Sequence, residues 1–152
     1  MTEMIYTTAT IGGRLRRKHA EEIADIINGS FCDLYNGGKT LEEIVEAAAA
    51  SERFSISGQV NFGNPGDLRT YLQAKRLPYV ITYCAGGEFT AGGYAYRHGS
   101  GEIEFEANDD GVPSLTLTTL KVRAAEGHSL QSVIRTIENC QHENVPAIVF
   151  KD

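Results

Sequence analysis

Residues 79–107 read YVITYCAGGEFTAGGYAYRHGSGEIEFEA, and this stretch decides the fold. It contains three segments rich in aromatic and β-branched residues, which are typical of β-strands, at positions 79–84, 89–97 and 102–107. Glycine pairs and a Gly-Ser-Gly turn separate these segments. Short turns of this kind join antiparallel neighbours, so the stretch predicts a β-meander.

The next apolar segment, residues 114–124, predicts a fourth strand of the meander. Its leucines occupy odd positions up to Leu117, whereas Leu120 and Val122 occupy even positions. Because alternate residues of a strand face opposite sides, this change of parity predicts a β-bulge at Thr118-Thr119. The bulge would place Glu102 opposite Lys121 as a cross-strand charge pair.

The rest of the chain predicts helices and strands in alternation. Strands are expected at 4–11, 54–62 and 145–150, and a helix at 14–28. Further helices are expected to begin at the capping box of Thr40 and Glu43, at the N-cap Asn64 and at the N-cap Ser129. We therefore expect one α+β domain over residues 1–152. It would have a single mixed, mainly antiparallel sheet with about four helices on one face, and a C-terminal β-meander followed by a helix and a strand.

Composition narrows the classes of protein that remain. The 152 residues include 41% hydrophobic and 22% charged residues, which is ordinary globular usage and not that of a disordered chain. The net charge of −6 is opposite to that of a basic nucleic-acid-binding domain, so no direct nucleic-acid contact is expected. No apolar run is long enough to span a bilayer, and the N-terminal residues lack the layout of a signal peptide. These features predict a soluble cytoplasmic protein that does not bind membranes.

The cysteines and histidines give no pattern of a metal site or a disulfide framework. Three cysteines lie far apart, which predicts thiols in a reducing compartment, and their apolar neighbours predict that all three are buried. The four histidines lack the spacing of zinc ligands, and no nucleophile motif is present. The sequence therefore predicts no metal, no cofactor and no catalytic residue.

Two surfaces are candidates for binding. Glu102, Glu104 and Glu106 alternate along one strand, so they share one face of the sheet at intervals of about 7 Å. Tyr94 and Tyr96, two residues apart on the preceding strand, would add an aromatic patch to that face, and packing of their rings in the core or at its rim is the alternative. An acidic and aromatic face of this kind suits a basic partner, although a solvated outer face of an antiparallel sheet has the same pattern.

The second candidate surface is an anion site at the first helix. Its residues are a glycine turn followed by cations at a helix start: Gly12, Gly13, Arg14, Arg16 and Arg17. Bases at a helix N-terminus oppose the helix dipole, and a bound phosphate would offset this effect. The same cations could instead pair with acidic residues further along the helix.

These observations lead to one expected function and two alternatives. We expect a non-enzymatic interaction protein that binds a macromolecule, such as a basic nucleic-acid-handling protein, through the acidic and aromatic face. A phage- or plasmid-borne inhibitor would fit this size and mild acidity. The alternatives are a phosphate-binding enzyme or sensor that uses the glycine turn and the arginines, and a structural homo-oligomer built through the final strand.

Overall fold

The computed structural model describes residues 3–87, 90–108 and 110–151. In chain order the strands are β1 Met4–Ile11, β2 Gly13–Leu15, β3 Phe54–Asn61, β4 Tyr79–Tyr83, β5 Gly92–Arg97, β6 Gly101–Ala107, β7 Pro113–Ser114 and β8 Ile148–Phe150. The helices are α1 Arg17–Ser30, α2 Thr40–Ala49, α3 Gly66–Ala74, α4 Leu117–Ala125 and α5 Leu130–Glu138, and a 3₁₀ turn covers His142–Asn144.

Six of the strands form one antiparallel sheet in the order β3-β1-β4-β5-β6-β7. Strands β4 to β7 are neighbours both in the chain and in the sheet, so the predicted meander is confirmed. The two remaining strands, β2 and β8, pair in parallel as a separate small ladder. The predicted α+β class, with a mainly antiparallel sheet and a helix and strand after the meander, is confirmed. The described residues form five α-helices where about four were expected.

One face of the sheet, which we call the helical face, carries the larger core. Alternate residues of the central strands, among them Ala9, Ile11 and Ile81, point to this face and are fully buried. They pack in one cluster with Ile23 and Ile27 of α1, and with residues of α2 and α3. The three N-terminal helices therefore cover the β3-β1-β4 part of the helical face.

The opposite face, which we call the C-terminal face, has a second and smaller core. Val80, Ala95 and Phe105 pack there against Cys140 and Val145, which follow α5. The prediction that all helices lie on one face is therefore wrong. Apolar side chains on both sides of β4 and β5, and on the C-terminal face of β6, require cover on both sides of the sheet, and the C-terminal segment supplies the second cover.

The segment predicted as the fourth meander strand is mostly helical. Only Pro113 and Ser114 pair with β6, and α4 begins directly afterwards. Thr116 is its N-cap, because the hydroxyl oxygen of Thr116 accepts a hydrogen bond from the backbone N–H of Thr119 at 3.2 Å. The predicted β-bulge and the pairing of Glu102 with Lys121 are therefore wrong, since the leucines at 117 and 120 follow helical spacing.

Two predicted N-caps are also replaced by other contacts. The Thr40 hydroxyl donates to the Asn28 side chain, which joins α2 to the end of α1, and Lys39 occupies the cap position. The Asn64 side-chain oxygen accepts from Arg69 at 2.6 Å, and Pro65 stands at the cap of α3. In both cases another side chain engages the polar group that the local pattern had assigned to a helix amide.

The remaining boundaries agree closely with expectation. Strand β1 has the predicted bounds, and α5 is capped by Ser129, whose hydroxyl oxygen accepts from the Ser132 N–H. The first helix lies two to three residues later than predicted, and β8 is shorter than expected. The predicted second meander strand began at Phe89, which lies outside the described residues.

Candidate interaction surface

Strand β6 positions the three predicted glutamates on the helical face of the sheet. Its ladder with β5 places Glu102 opposite Tyr96 and Glu104 opposite Tyr94. Because directly opposite residues of an antiparallel pair share a face, the glutamates and the two tyrosines lie on the same side. The tertiary structure thus brings together all five residues that the sequence singled out for partner binding.

Glu102 is held by a network of hydrogen bonds from inside the molecule. The Arg69 guanidinium of α3 binds its carboxylate through two nitrogens, with Nε to Oε2 at 2.9 Å. The Tyr79 hydroxyl also donates to Oε2, and Gln73 Nε2 donates to the same oxygen at 3.1 Å. About one fifth of each side chain of the ion pair remains exposed. Glu102 therefore joins α3 to the meander and is already neutralised within the protein.

The tyrosines form the layer beneath this network. The ring of Tyr96 stacks on that of Tyr79, with centroids 5.6 Å apart. The Arg69 guanidinium lies 3.7 Å from the centroid of the Tyr94 ring, a cation–π contact. Tyr94 and Tyr96 are only 9% and 8% exposed, so they support the surface from below and offer little ring area to a partner.

Electrostatics fix the protonation states in the network. Burial alone would raise the pKa of Glu102, but the hydrogen bonds from Arg69 and Tyr79 outweigh it and bring the pKa below its ordinary value. The hydrogen bond to Glu102 raises the pKa of Arg69. Desolvation, followed by the hydrogen bond to Glu102, raises the pKa of Tyr79, so its hydroxyl stays a donor. The network is therefore a charged pair at neutral pH, with the Tyr79 hydroxyl protonated.

Glu104 and Glu106 differ from Glu102, because their side chains are exposed. Across the described ranges the ion pairs are Arg69 with Glu102 and His128 with Glu126, and neither includes Glu104 or Glu106. These two carboxylates, which we call the acidic pair, stand on a strand whose neighbour β5 is almost completely buried. The acidic pair is thus a fixed, uncompensated negative charge at the end of the sheet that α1, α2 and α3 leave uncovered.

The sequence pattern did not indicate that Arg69, Gln73 and Tyr79 donate hydrogen bonds to the acidic strand. Arg69 and Gln73 are spaced i, i+4, so they share one face of α3. That spacing could have indicated a polar contact of the helix. It contains no information about which of the many glutamates, 29 to 33 residues further along, would meet that face.

The predicted anion site has a different local structure from the one that suggested it. The Gly12 N–H donates to the Pro78 carbonyl and the Gly13 N–H to the Ala147 carbonyl, each at 3.1 Å. A Cβ added to Gly12 would lie 1.7 Å from the Pro146 carbonyl oxygen. The glycines thus allow close approach of neighbouring backbone where the chain passes from β1 to β2. Arg14 lies on β2, and Arg16 and Arg17 lie at the start of α1, with all three exposed.

A second polar cluster lies on the C-terminal face, around His142. Its Nδ1 bonds to the Thr10 hydroxyl, and its Nε2 lies 3.0 Å from the Thr82 hydroxyl. Desolvation lowers the pKa of His142 below its ordinary value of 6.5. The neutral ring can donate from one nitrogen and accept at the other, and hydroxyl groups satisfy either role. The 3₁₀ turn that carries His142 is thereby fixed to β1 and β4.

The cysteines correct another expectation. Cys32 and Cys84 are exposed, so the prediction that all three thiols are buried is wrong for these two. Cys140 is buried, and desolvation raises its pKa to about 11, so it is an uncharged thiol. Among the described residues no group of three or more His, Cys, Asp or Glu side chains could hold a metal ion.

No helix in the part of the chain described by the structure has the length and apolar character needed to cross a bilayer.

Comparisons with protein-family models, with curated proteins and with solved structures found no match. Function must therefore be inferred from the surfaces themselves.

Proposed function

We propose that the protein acts by binding a basic macromolecular partner, such as a nucleic-acid-handling protein, through the acidic pair of β6. A binding protein of the cytoplasm, including an inhibitor carried by a phage or plasmid, would use such a surface. The single observation that supports the proposal is the exposed and unpaired state of Glu104 and Glu106 beside a Glu102 that is fully engaged.

Rigid support makes these charges useful for recognition. Glu102 ties β6 to α3, and the ladder with β5 holds β6 in the meander, so the backbone that carries Glu104 and Glu106 is held in place. A partner that binds the acidic pair therefore loses little entropy in ordering it. An attraction of about 1 kcal/mol in water, and of about 4 kcal/mol where the contact is partly shielded, is available to each carboxylate from a cation at 4 Å.

The distribution of charge along the chain is compatible with a basic partner. Residues 1–76 have a net charge of −1, whereas residues 77–152 have a net charge of −5. The second half contains β4 to β8, α4 and α5. A basic partner would therefore be steered towards the half of the chain that carries the acidic pair.

The test is affinity capture with a double variant and a charge-matched control. The E104Q/E106Q variant removes the acidic pair, whereas E42Q/E46Q removes two exposed glutamates of α2 and changes the net charge equally. Captured proteins would be compared at about 0.01 M and about 0.15 M ionic strength, where the Debye lengths are about 30 and 8 Å. Each captured protein would then be purified and its affinity for the three baits measured.

The proposal expects a basic protein that binds wild type and E42Q/E46Q, weakens with salt, and is lost with E104Q/E106Q. Equal affinity of every purified partner for all three baits would show that the acidic pair is a solvated surface and would refute the proposal.

A further inference from the structure

We infer that the partner binds as an added β-strand along the open edge of β6, with alternate side chains entering a cleft on the C-terminal face. This inference rests on the proposed function, since the acidic pair would face the same strand. It specifies what kind of segment the partner must present.

The outer edge of β6 has hydrogen-bonding groups without partners. The Ala107 N–H points inward to the Ala91 carbonyl, and the Asn108 N–H points outward to the Val112 carbonyl. Alternation along the strand therefore directs the backbone groups of Glu102, Glu104 and Glu106 outward. Ser114 of β7 pairs with Glu106, but no described residue pairs with the outward groups of Glu102 or Glu104.

The edge is open because β7 stops after two residues. Continuing its register would place Thr116 opposite Glu104, but Thr116 is instead the N-cap of α4. The chain thus leaves the ladder one pair short of covering Glu104. An antiparallel segment could continue where β7 ends, and such addition to a sheet edge is a common mode of peptide recognition.

A cleft lies beside this edge, between the sheet and the C-terminal helices. Its volume is about 70 Å³, and it is lined in part by Ile103, Phe105, Thr119, Arg123, Ile137 and Cys140. Ile103 and Phe105 point to the C-terminal face, so side chains of an added strand would enter the cleft at alternate positions. The volume suits a side chain of about the size of valine or threonine.

A second observation at the cleft is an unpaired donor of Arg123, one of its lining residues. Its Nε is buried, yet it has no hydrogen-bond partner. Buried donors in folded proteins are almost always paired, so Arg123 requires an acceptor, which could reach this nitrogen once the side chain turns towards the cleft. A carbonyl or hydroxyl oxygen of the added segment would meet this requirement.

The negative charge of the acidic pair determines which residue types suit alternate positions of the added segment. Residues of the added strand that face Glu104 would point to the helical face, beside the acidic pair. These residues are expected to be Lys or Arg, and the residues between them small and apolar. The occupant is therefore an extended segment of another protein in which basic residues alternate with small apolar residues.

The test uses the folded protein and four short peptides with blocked ends. The first is Val-Lys-Val-Lys-Val, and the second has the same composition in the order Lys-Lys-Val-Val-Val. The third carries N-methyl groups on the backbone nitrogens of both lysines, and the fourth carries them on the backbone nitrogens of two valines. In an antiparallel ladder the residues opposite Glu104 donate to β6, so only methylation at lysine removes those donors.

Binding would be followed by titration and by backbone amide hydrogen exchange. We expect the alternating peptide to bind and to protect the amides of Glu102 and Glu104 from exchange. Affinity should fall about tenfold or more on methylating the lysine backbone nitrogens, because two hydrogen bonds are lost, and should change little on methylating the valine backbone nitrogens. Reordering the residues should weaken binding by a similar factor, because the lysine and valine side chains would no longer alternate between the two faces. The R123M variant should weaken binding of the alternating peptide several-fold.

The outcomes separate this inference from the proposed function. Equal binding of the alternating and reordered peptides, with both weakened in E104Q/E106Q, would leave the acidic pair as a binding site and overturn strand addition. Sequence-dependent binding unchanged in E104Q/E106Q would support strand addition and refute the proposed function. Absence of binding to all four peptides would overturn the inference. Amide protection that grows with protein concentration without peptide would also overturn it, because a second copy would then occupy the edge.

Discussion

Replacing Glu102 by Gln tests how far the network with Arg69 stabilises the fold. The substitution keeps the size of the side chain but removes its charge and one acceptor oxygen. Arg69, Tyr79 and Gln73 all direct donors at this carboxylate, so the new amide group would face donors on every side. The variant is therefore expected to lower the free energy of unfolding.

The magnitude follows from the number and burial of these contacts. Hydrogen bonds to a charged group contribute about 1.5–3 kcal/mol each, and breaking a fully buried pair costs about 3–5 kcal/mol. About one fifth of each partner is exposed, and water can therefore replace part of what is lost. We expect E102Q to lower the free energy of unfolding by about 2–3 kcal/mol, which corresponds to a fall in Tm of about 4–12 °C for a chain of this size.

The assay is denaturant unfolding, with E106Q as the matched control. Glu106 lies on the same strand but is exposed and unpaired, so E106Q should change the free energy of unfolding by no more than about 0.5 kcal/mol. An E102Q variant whose stability is within about 0.5 kcal/mol of wild type would refute the role assigned to the network.

The pH dependence provides a second check on the same pair. The pKa of Glu102 lies below its ordinary value of 4.5 in the folded protein. Its contribution is therefore complete above about pH 4.5 and is lost as the pH falls through the lower folded value. The difference in stability between wild type and E102Q should shrink over that acidic range, and a constant difference would contradict the assignment.

Three further predictions concern other parts of the fold. His142 is buried with a lowered pKa, so stability should be complete above about pH 6.5 and decline as the pH falls below it; the slope of unfolding free energy against pH should be smaller in H142N. A thiol reagent should modify the two exposed cysteines rapidly and Cys140 only on unfolding, because its pKa is about 11; three equally fast thiols would contradict this. Gly12→Ala should destabilise the protein in thermal unfolding, because the added Cβ would overlap the Pro146 carbonyl, whereas Gly29→Ala in α1, where the Cβ meets nothing within 4 Å, should stabilise it by about 0.5–1 kcal/mol.

The segment after Gly111 shows where local pattern was insufficient. Leu115, Leu117, Leu120 and Val122 fitted a bulged strand because alternation was allowed to change phase once. Leu117, Leu120 and Val122 fit a helix capped by Thr116 equally well, and no residue of α4 is fully buried. Because packing favours neither helix nor strand strongly here, the hydrogen bond from the Thr119 N–H to the Thr116 hydroxyl oxygen favours the helix. Hydrophobic spacing gives no information about this side-chain cap.

The acidic strand shows a different limit. Alternation along β6 correctly placed the three glutamates on one face, since the period of a strand is two, and the ladder with β5 adds the two tyrosines to that face. It could not distinguish Glu102 from Glu104 and Glu106, because the difference lies in Arg69, which reaches the strand from a helix distant in sequence. The candidate site therefore consists of the two glutamates that tertiary packing leaves unpaired.

The α+β class, the meander, the bounds of β1 and the shared face of the three glutamates could be predicted from the sequence, because these features follow from short-range periodicity and turn chemistry. The folded chain alone shows which carboxylates stay unpaired, which face each helix covers, and where β7 ends and exposes the edge of β6. Those features depend on contacts between residues far apart in the chain, and the free energy of such contacts is set by the assembled core and not by any local pattern.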